Sequence, residues 1–171
     1  MDKIIAKQAF REAGLTVADQ RIVQRETPVL EIVESITRNL GESVVIKPSS
    51  QGSAIGVTLI NDTDQLHDAL ASAFNYDRRL LVEERIIGRE MTVGVIDTDQ
   101  GPRPFPVIEI ITPESSWYDF DHRYTDGWSE HVMPANVPPN ISAELQRIAV
   151  NAHQSLGCRD LSRADFIVND N

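Results

Sequence analysis

The chain has 171 residues, enough for one sizeable core or two small lobes. Acidic residues outnumber basic ones, 26 to 16, and the formal net charge of -10 argues against a nucleic-acid backbone as partner, because no basic stripe offsets it. A single cysteine, Cys158, excludes an internal disulfide and a cysteine-rich zinc site; no apolar run approaches bilayer length, and no signal-peptide core opens the chain, so it reads as cytoplasmic with no membrane partner.

The first predicted helix runs from about Asp2 to Ala13, with Ile5, Ala9 and Ala13 on one stripe and Gly14 placed to end it. Arg21-Ile22-Val23 reads as an edge strand. In the second helix Thr27 is placed as N-cap, Pro28 at the first helical position and Gly41 after the last turn. Val29, Val33, Ile36 and Leu40 form its apolar face.

Val44 to Pro48 is an apolar strand that delivers Lys47 to its end. Gly52 and Gly56 punctuate the loop that follows, and Val57 to Ile60 reads as the return strand. Such a glycine–serine loop can turn several backbone N–H groups toward one anion, with glycine supplying positive φ and close approach. Lys47 adds a compact positive charge suited to a phosphate oxygen. The plain alternative is a β-hairpin with a lysine at its rim.

Asp62 and Gln65 have capping-box spacing before a third helix, with Leu66, Leu70, Ala73 and Phe74 inward. Leu80 to Val82 is a buried strand ending in Glu83-Glu84. Residues 86–90 read as a connection, Met91 to Ile96 as a strand, 97–101 as a turn, and Phe105 to Ile111 as a strand carrying Glu109. Thr112 to Pro139 lacks a sustained period, is rich in aromatic and charged residues, and reads as a long functional loop. Ser142 is placed to cap a last helix with Leu145, Ile148, Ala149, Ala152 and Leu156 inward. Arg163 to Val168 begins a strand, and Asn169-Asp170-Asn171 has turn chemistry. Arg163 and Asp165, two apart, point to one face of that strand, where a carboxylate can hold magnesium and an arginine an oxyanion. The four histidines, His67, His122, His131 and His153, show no metal-ligand spacing and read as surface or loop residues.

Taken in order, Met1-Asp2-Lys3, Lys47-Pro48-Ser49 with Gly52-Ser53 and Gly56, Glu83 with Glu90, Trp117-Tyr118-Asp119 with Tyr124, and Gly157-Cys158 with Arg163-Ala164-Asp165 resemble the ATP-grasp superfamily, specifically the D-alanine:D-alanine ligases. The resemblance covers essentially the whole chain. It implies an α+β fold of two lobes with mainly antiparallel sheets and packed helices, a small lobe at 1–86 and an incomplete C-terminal lobe at 87–171.

The resemblance also implies roles. Lys3, Lys47 and Arg123 contact the nucleotide phosphates, and Gly52 and Ser53 lie in the loop that closes over them. Glu83 accepts from the adenine amino group, backbone groups near Glu84 and Ile86 read the adenine edge, and Glu90 takes the ribose hydroxyls. Tyr118, Arg123 and Tyr124 belong to a covering loop, with Tyr124 latching to Ser53. Arg163 stabilises an acyl phosphate, and Asp165 holds Mg2+ or Mn2+. Position 123 is usually lysine in the family and is arginine here, which replaces a point charge by a planar fork.

The implied substrates are ATP and D-alanine, joined for peptidoglycan and hence cell shape, in a homodimeric parent. The family's amino-terminal domain and its Glu-x-Asn metal pair have no counterpart in these residues. The expectation is therefore a fragment that binds ATP but lacks ligase activity alone. A non-catalytic nucleotide-binding remnant and a carboxylate–amine ligase of other specificity are the rival readings.

Overall fold

Residues 2–112 and 129–169 are described by the computed structural model. They fall into two units, Met1–Lys7 with Val17–Arg85, and Gln8–Thr16 with Ile86–Asn171.

In the first unit, α1 (Lys3–Glu12) contributes its opening turn, where the Asp2 carboxylate accepts from the Ile4 N–H at 2.9 Å. The buried stripe of this helix is not the expected one. Ala6 is buried while Ile5 is 63% exposed, because the turn that carries Lys3 and Lys7 faces inward.

The sheet of this unit orders β1 (Gln20–Gln24), β4 (Arg79–Glu84), β2 (Val44–Pro48) and β3 (Thr58–Ile60), all antiparallel. Alternation divides its residues between two faces. Val44, Ile46, Leu80 and Val82 meet α2 (Val29–Leu40) and α3 (Leu66–Ala73) in a core with Ile32, Ile36, Leu66 and Leu70. Each fully buried aliphatic side chain there is worth about 1.5–3 kcal/mol of transfer free energy. The opposite face carries Val45, Lys47, Leu81 and Glu83. In register Val45 stands across from Glu83 and Lys47 across from Leu81, so Lys47 and Glu83 are diagonal neighbours.

Two helix starts differ from expectation. Pro28 stands just before α2 at ψ 131, and no side chain caps that helix. Asp62 caps a short 3-10 turn, Thr63–Gln65, by accepting from the Asp64 N–H at 3.0 Å.

In the second unit β5 (Arg89–Thr98) is central. It pairs with β6 (Gly101–Pro104) and β7 (Ile108–Ile111) along one edge and with β9 (Leu161–Val168) along the other; β8 (Glu130–Val132) extends β7. The expected strand from Phe105 begins only at Ile108, since Pro104 and Pro106 bring no N–H to a ladder. Helix α4 (Pro139–Ser155) starts before Ser142 and packs Leu145 and Ala149 on Met91, Val93 and Val95.

His153 corrects the reading of the histidines as surface residues. It is 3% exposed, with Nδ1 2.8 Å from Ser162 Oγ and Nε2 3.2 Å from Asp97 Oδ1, and ties α4 to β9 and β5. Among the described residues no helix is long and apolar enough to cross a membrane.

Candidate functional site

Lys47 and Glu83 meet as the register requires. Lys47 Nζ lies 2.6 Å from Glu83 Oε2, and Lys7 Nζ lies 2.6 Å from Glu83 Oε1. Glu83 is 7% exposed, so both of its oxygens are committed to cations in a nearly dry setting. Burial alone works to raise its carboxyl; the Lys47 and Lys7 ammoniums and their hydrogen bonds outweigh it and hold the carboxyl below the usual glutamate value. Lys7 is fixed at a second point, donating to the Ala18 carbonyl at 3.3 Å. Directly opposite Glu83 stands Gln20, whose Oε1 is buried with no hydrogen-bond partner among the described residues.

Lys3 sits at the base of the glycine loop. Its Nζ donates to the Pro48 carbonyl at 2.9 Å and to the Gln51 carbonyl, and its N–H to the Ser49 carbonyl at 2.9 Å. Burial, then the neighbouring Lys47 charge, lowers the Lys3 ammonium from the ordinary lysine value. Repulsion between two ammoniums at a loop mouth is the electrostatic condition that an incoming anion relieves.

The chain contains only three lysines, Lys3, Lys7 and Lys47, and all three are at this place; every other basic side chain is arginine. Lys3 and Lys7 are four apart on α1 and so share a face. That spacing was available in the sequence, and Lys7 was still missed.

Asp77 was missed as well. Its Oδ2 accepts from Ser49 Oγ at 2.8 Å and from the Ser50 N–H at 2.9 Å, and its Oδ1 accepts from the Arg79 N–H at 3.1 Å. Burial opposes ionisation, and the hydrogen bonds from Arg79, Ser49 and Ser50 prevail, bringing the carboxyl down to about 2. Together with the Gln51 amide on the Tyr76 carbonyl, this turn props the start of the loop.

Within the loop, positive φ falls on Ser53 (49°), Ala54 (58°) and Gly56 (70°), not on Gly52. Ser53 and Ala54 accept a conformation that costs a side-chain-bearing residue about 1–2 kcal/mol. Gly56 has no alternative, since a Cβ there would stand 2.8 Å from Pro48 and Tyr76. Glu84 Oε1 accepts from the Asp19 N–H at 2.8 Å, and its own N–H donates to the Asp19 carbonyl at 3.0 Å.

In the second unit the register places Glu90 beside Ile167, Thr92 beside Asp165, and Gly94 beside Arg163. Glu90, Asp165 and Arg163 therefore share the sheet face opposite α4. Asp165 Oδ1 accepts from Thr92 Oγ1 at 2.7 Å, and its Oδ2 accepts from Arg163 Nη2 at 3.2 Å. No group of three or more His, Cys, Asp or Glu among the described residues could hold a metal ion. Ile86 is 36% exposed, ahead of β5. Tyr118, Arg123 and Tyr124, like His122 and Asp170, lie outside the described residues.

Two units built on antiparallel sheets, one bearing a lysine-flanked glycine loop and the other an Arg-x-Asp strand, define the ATP-grasp class of fold. The chain belongs to the family described as "D-ala D-ala ligase C-terminus", which matches residues 9–171. It is 39% identical over 170 residues to a D-alanine--D-alanine ligase of Geobacter sulfurreducens, covering 99% of this chain and 51% of that protein. A Geotalea uraniireducens protein of the same description is 38% identical over 172 residues, with 99% and 52% covered. The crystal structure of VanG D-Ala:D-Ser ligase from Enterococcus faecalis superimposes with a TM-score of 0.85 at 30% identity, over 99% of this chain and 49% of that one. The chain spans about half the length of the curated relatives it matches.

Proposed function

We propose that these residues form the nucleotide-binding part of an ATP-dependent ligase that joins two D-alanines. The observation that carries the reading is the convergence of all three lysines on Glu83 and the glycine loop. A triphosphate needs several cations and backbone donors at one place, and here an otherwise acidic chain gathers all three of its lysines at a glycine loop.

In the proposed reaction ATP phosphorylates the carboxylate of the first D-alanine, releasing ADP. The amine of the second then attacks the acyl carbon and expels phosphate, forming the amide. Phosphoryl transfer depends mainly on positioning and charge stabilisation. Lys47 and Lys3 neutralise phosphate oxygens, and the loop N–H groups around Gly52 and Ser53 face the transferring group. Glu83 accepts from the adenine amino group, and Glu90 accepts from the ribose hydroxyls, as a two-oxygen acceptor can. Arg163 stabilises the charge that develops on the acyl phosphate. Asp165 would hold magnesium, which supplies charge neutralisation between phosphates when bound. Tyr118, Arg123 and Tyr124 complete the cover. The proposed setting is the cytoplasm, with peptidoglycan precursor synthesis as the use and a homodimer as the assembly.

A ligase of other specificity is the second reading, favoured by the similarity to a protein described as a D-Ala:D-Ser ligase. The nucleotide reading is tested by calorimetric titration of the purified chain with ATP and magnesium. Saturable binding that weakens at least tenfold in Lys47→Met is expected; binding unchanged by that substitution would overturn it.

A further inference from the structure

Glu83 can read an amino group only while it stays ionised and held in one plane. A protonated carboxyl offers a donor as well, and then accepts a purine carbonyl as readily as an amino group. Lys47 cannot be its permanent partner. The same ammonium faces the loop mouth beside Lys3, and a phosphate arriving there competes for it. Lys7 reaches Glu83 from α1. Its side chain is 13% exposed, its Nζ is 2.6 Å from Glu83 Oε1, and the Ala18 carbonyl fixes it from behind.

The surroundings sharpen the preference. Gln20, across the β1–β4 register, adds a buried oxygen that accepts from nothing among the described residues. Residues directly opposite in an antiparallel pair project to the same face. A ligand donor placed there would meet acceptors from both strands, the Glu83 carboxylate and the Gln20 oxygen.

We propose that Lys7 is a positioning residue that fixes the Glu83 carboxylate as an ionised acceptor, and so sets the preference for a purine bearing an amino group over one bearing a carbonyl. This rests on the reading of Glu83 as the adenine contact. In this scheme Lys7 acts on the base through Glu83.

The test is a binding comparison on the purified full chain at one magnesium concentration. Three probes are used: ATP, inosine triphosphate (which carries a carbonyl where adenine has its amino group), and inorganic tripolyphosphate (which has no base). Loss of one oriented, charge-assisted hydrogen bond corresponds to about tenfold or more in affinity. Lys7→Met is expected to weaken ATP about tenfold, to bring the ratio of ATP to inosine triphosphate affinities close to one, and to leave tripolyphosphate within about twofold.

Equal weakening of ATP and tripolyphosphate would overturn the proposal, since Lys7 would then be only one more phosphate-side charge. The Glu83→Gln variant separates the layers. If it lowers the ratio of ATP to tripolyphosphate affinities while Lys7→Met does not, the positioning role fails and the adenine contact stands. If Glu83→Gln leaves that ratio unchanged, the adenine contact fails and the Lys7 role with it. The double variant Lys7→Met/Glu83→Gln removes a buried charge together with its partner, which protects folding. It is expected to bind ATP no more than about twofold worse than Glu83→Gln alone, and additive losses would overturn the proposal.

Discussion

Asp77 makes a quantitative case because its carboxylate holds the start of the loop through three hydrogen bonds. Replacing it by alanine removes the acceptor of Ser49 Oγ, of the Ser50 N–H and of the Arg79 N–H. Ser49 is fully buried, so its hydroxyl loses a partner away from water. The carboxyl lies at about 2 against an ordinary 3.8, a difference worth at most about 2.5 kcal/mol. Asp77 is largely solvated, and screening reduces that to about 1 kcal/mol for the charge itself. With the hydrogen bonds lost as well, Asp77→Ala should cost about 2 kcal/mol, a fall in Tm of roughly 5 °C for a chain of this size.

Asp77→Asn isolates the charge. A folded value below the unfolded one means that the contribution is complete above about pH 4 and disappears as pH falls toward about 2. Urea unfolding of wild type and Asp77→Asn at a series of pH values should therefore give curves that converge on acidification. Hydrogen exchange at the Ser50 amide should accelerate in Asp77→Ala even where the β-sheet stays protected. A stability difference independent of pH, with unchanged exchange at Ser50, would refute the reasoning.

Gly56→Ala adds a Cβ at φ +70° against the Pro48 and Tyr76 side chains, and should cost about 2–3 kcal/mol by urea unfolding; a neutral outcome would mean that the loop is not held in this conformation. His153→Leu leaves Ser162 and Asp97 without their buried partner and should cost about 1–3 kcal/mol, read as faster exchange of α4 and β9 amides with those of β1 to β4 unaffected.

Much of this was legible in the residues because local chemistry and fold agree. The Val44 to Ile60 hairpin, the Leu66–Leu70–Ala73 face and the Arg163–Asp165 pair each follow from a period or a turn that the structure keeps. The failures share one physical cause, which is that pairing across distance leaves no local mark. His153 sits at helical spacing next to Ala152 and Ala149 but looked polar, because Ser162 and Asp97, which satisfy it, come from two strands remote in sequence. Asp77 resembles an ordinary turn aspartate until Ser49 and Ser50 are seen on it. Apolarity points Ile5 inward, whereas the inward turn belongs to Lys3, which bonds the Pro48 and Gln51 carbonyls, and to Lys7, whose partner Glu83 is 76 residues beyond it.

The same long-range pairing explains how a chain of net charge -10 can offer a polyanion a place to bind. Long-range repulsion is screened within about 8–10 Å at ordinary ionic strength, so what counts is the charge inside that radius. Three ammoniums gather around the buried Glu83 and the loop base, where the Asp77 and Asp2 carboxylates also act on Lys3. Asp77, the nearest further acid at the loop base, has its oxygens turned to Ser49, Ser50 and Arg79 rather than to the mouth. Some arginines instead hold carboxylates as a planar fork, such as Arg89 on Glu109 with Nε and Nη2 at 2.7 and 2.6 Å and Arg147 on Glu144 with Nε and Nη2 at 2.8 and 2.6 Å. Lysine is kept where an ammonium has to hold a carboxylate without a ligand and release it to a phosphate with one. A compact point charge on a flexible stem makes that exchange at low cost, and a bidentate fork does not. In the proposed function the buried Glu83, paired with Lys7 and Lys47, is the pivot of the site, and with Lys7 still attached it would accept from the base when Lys47 turns to the phosphates.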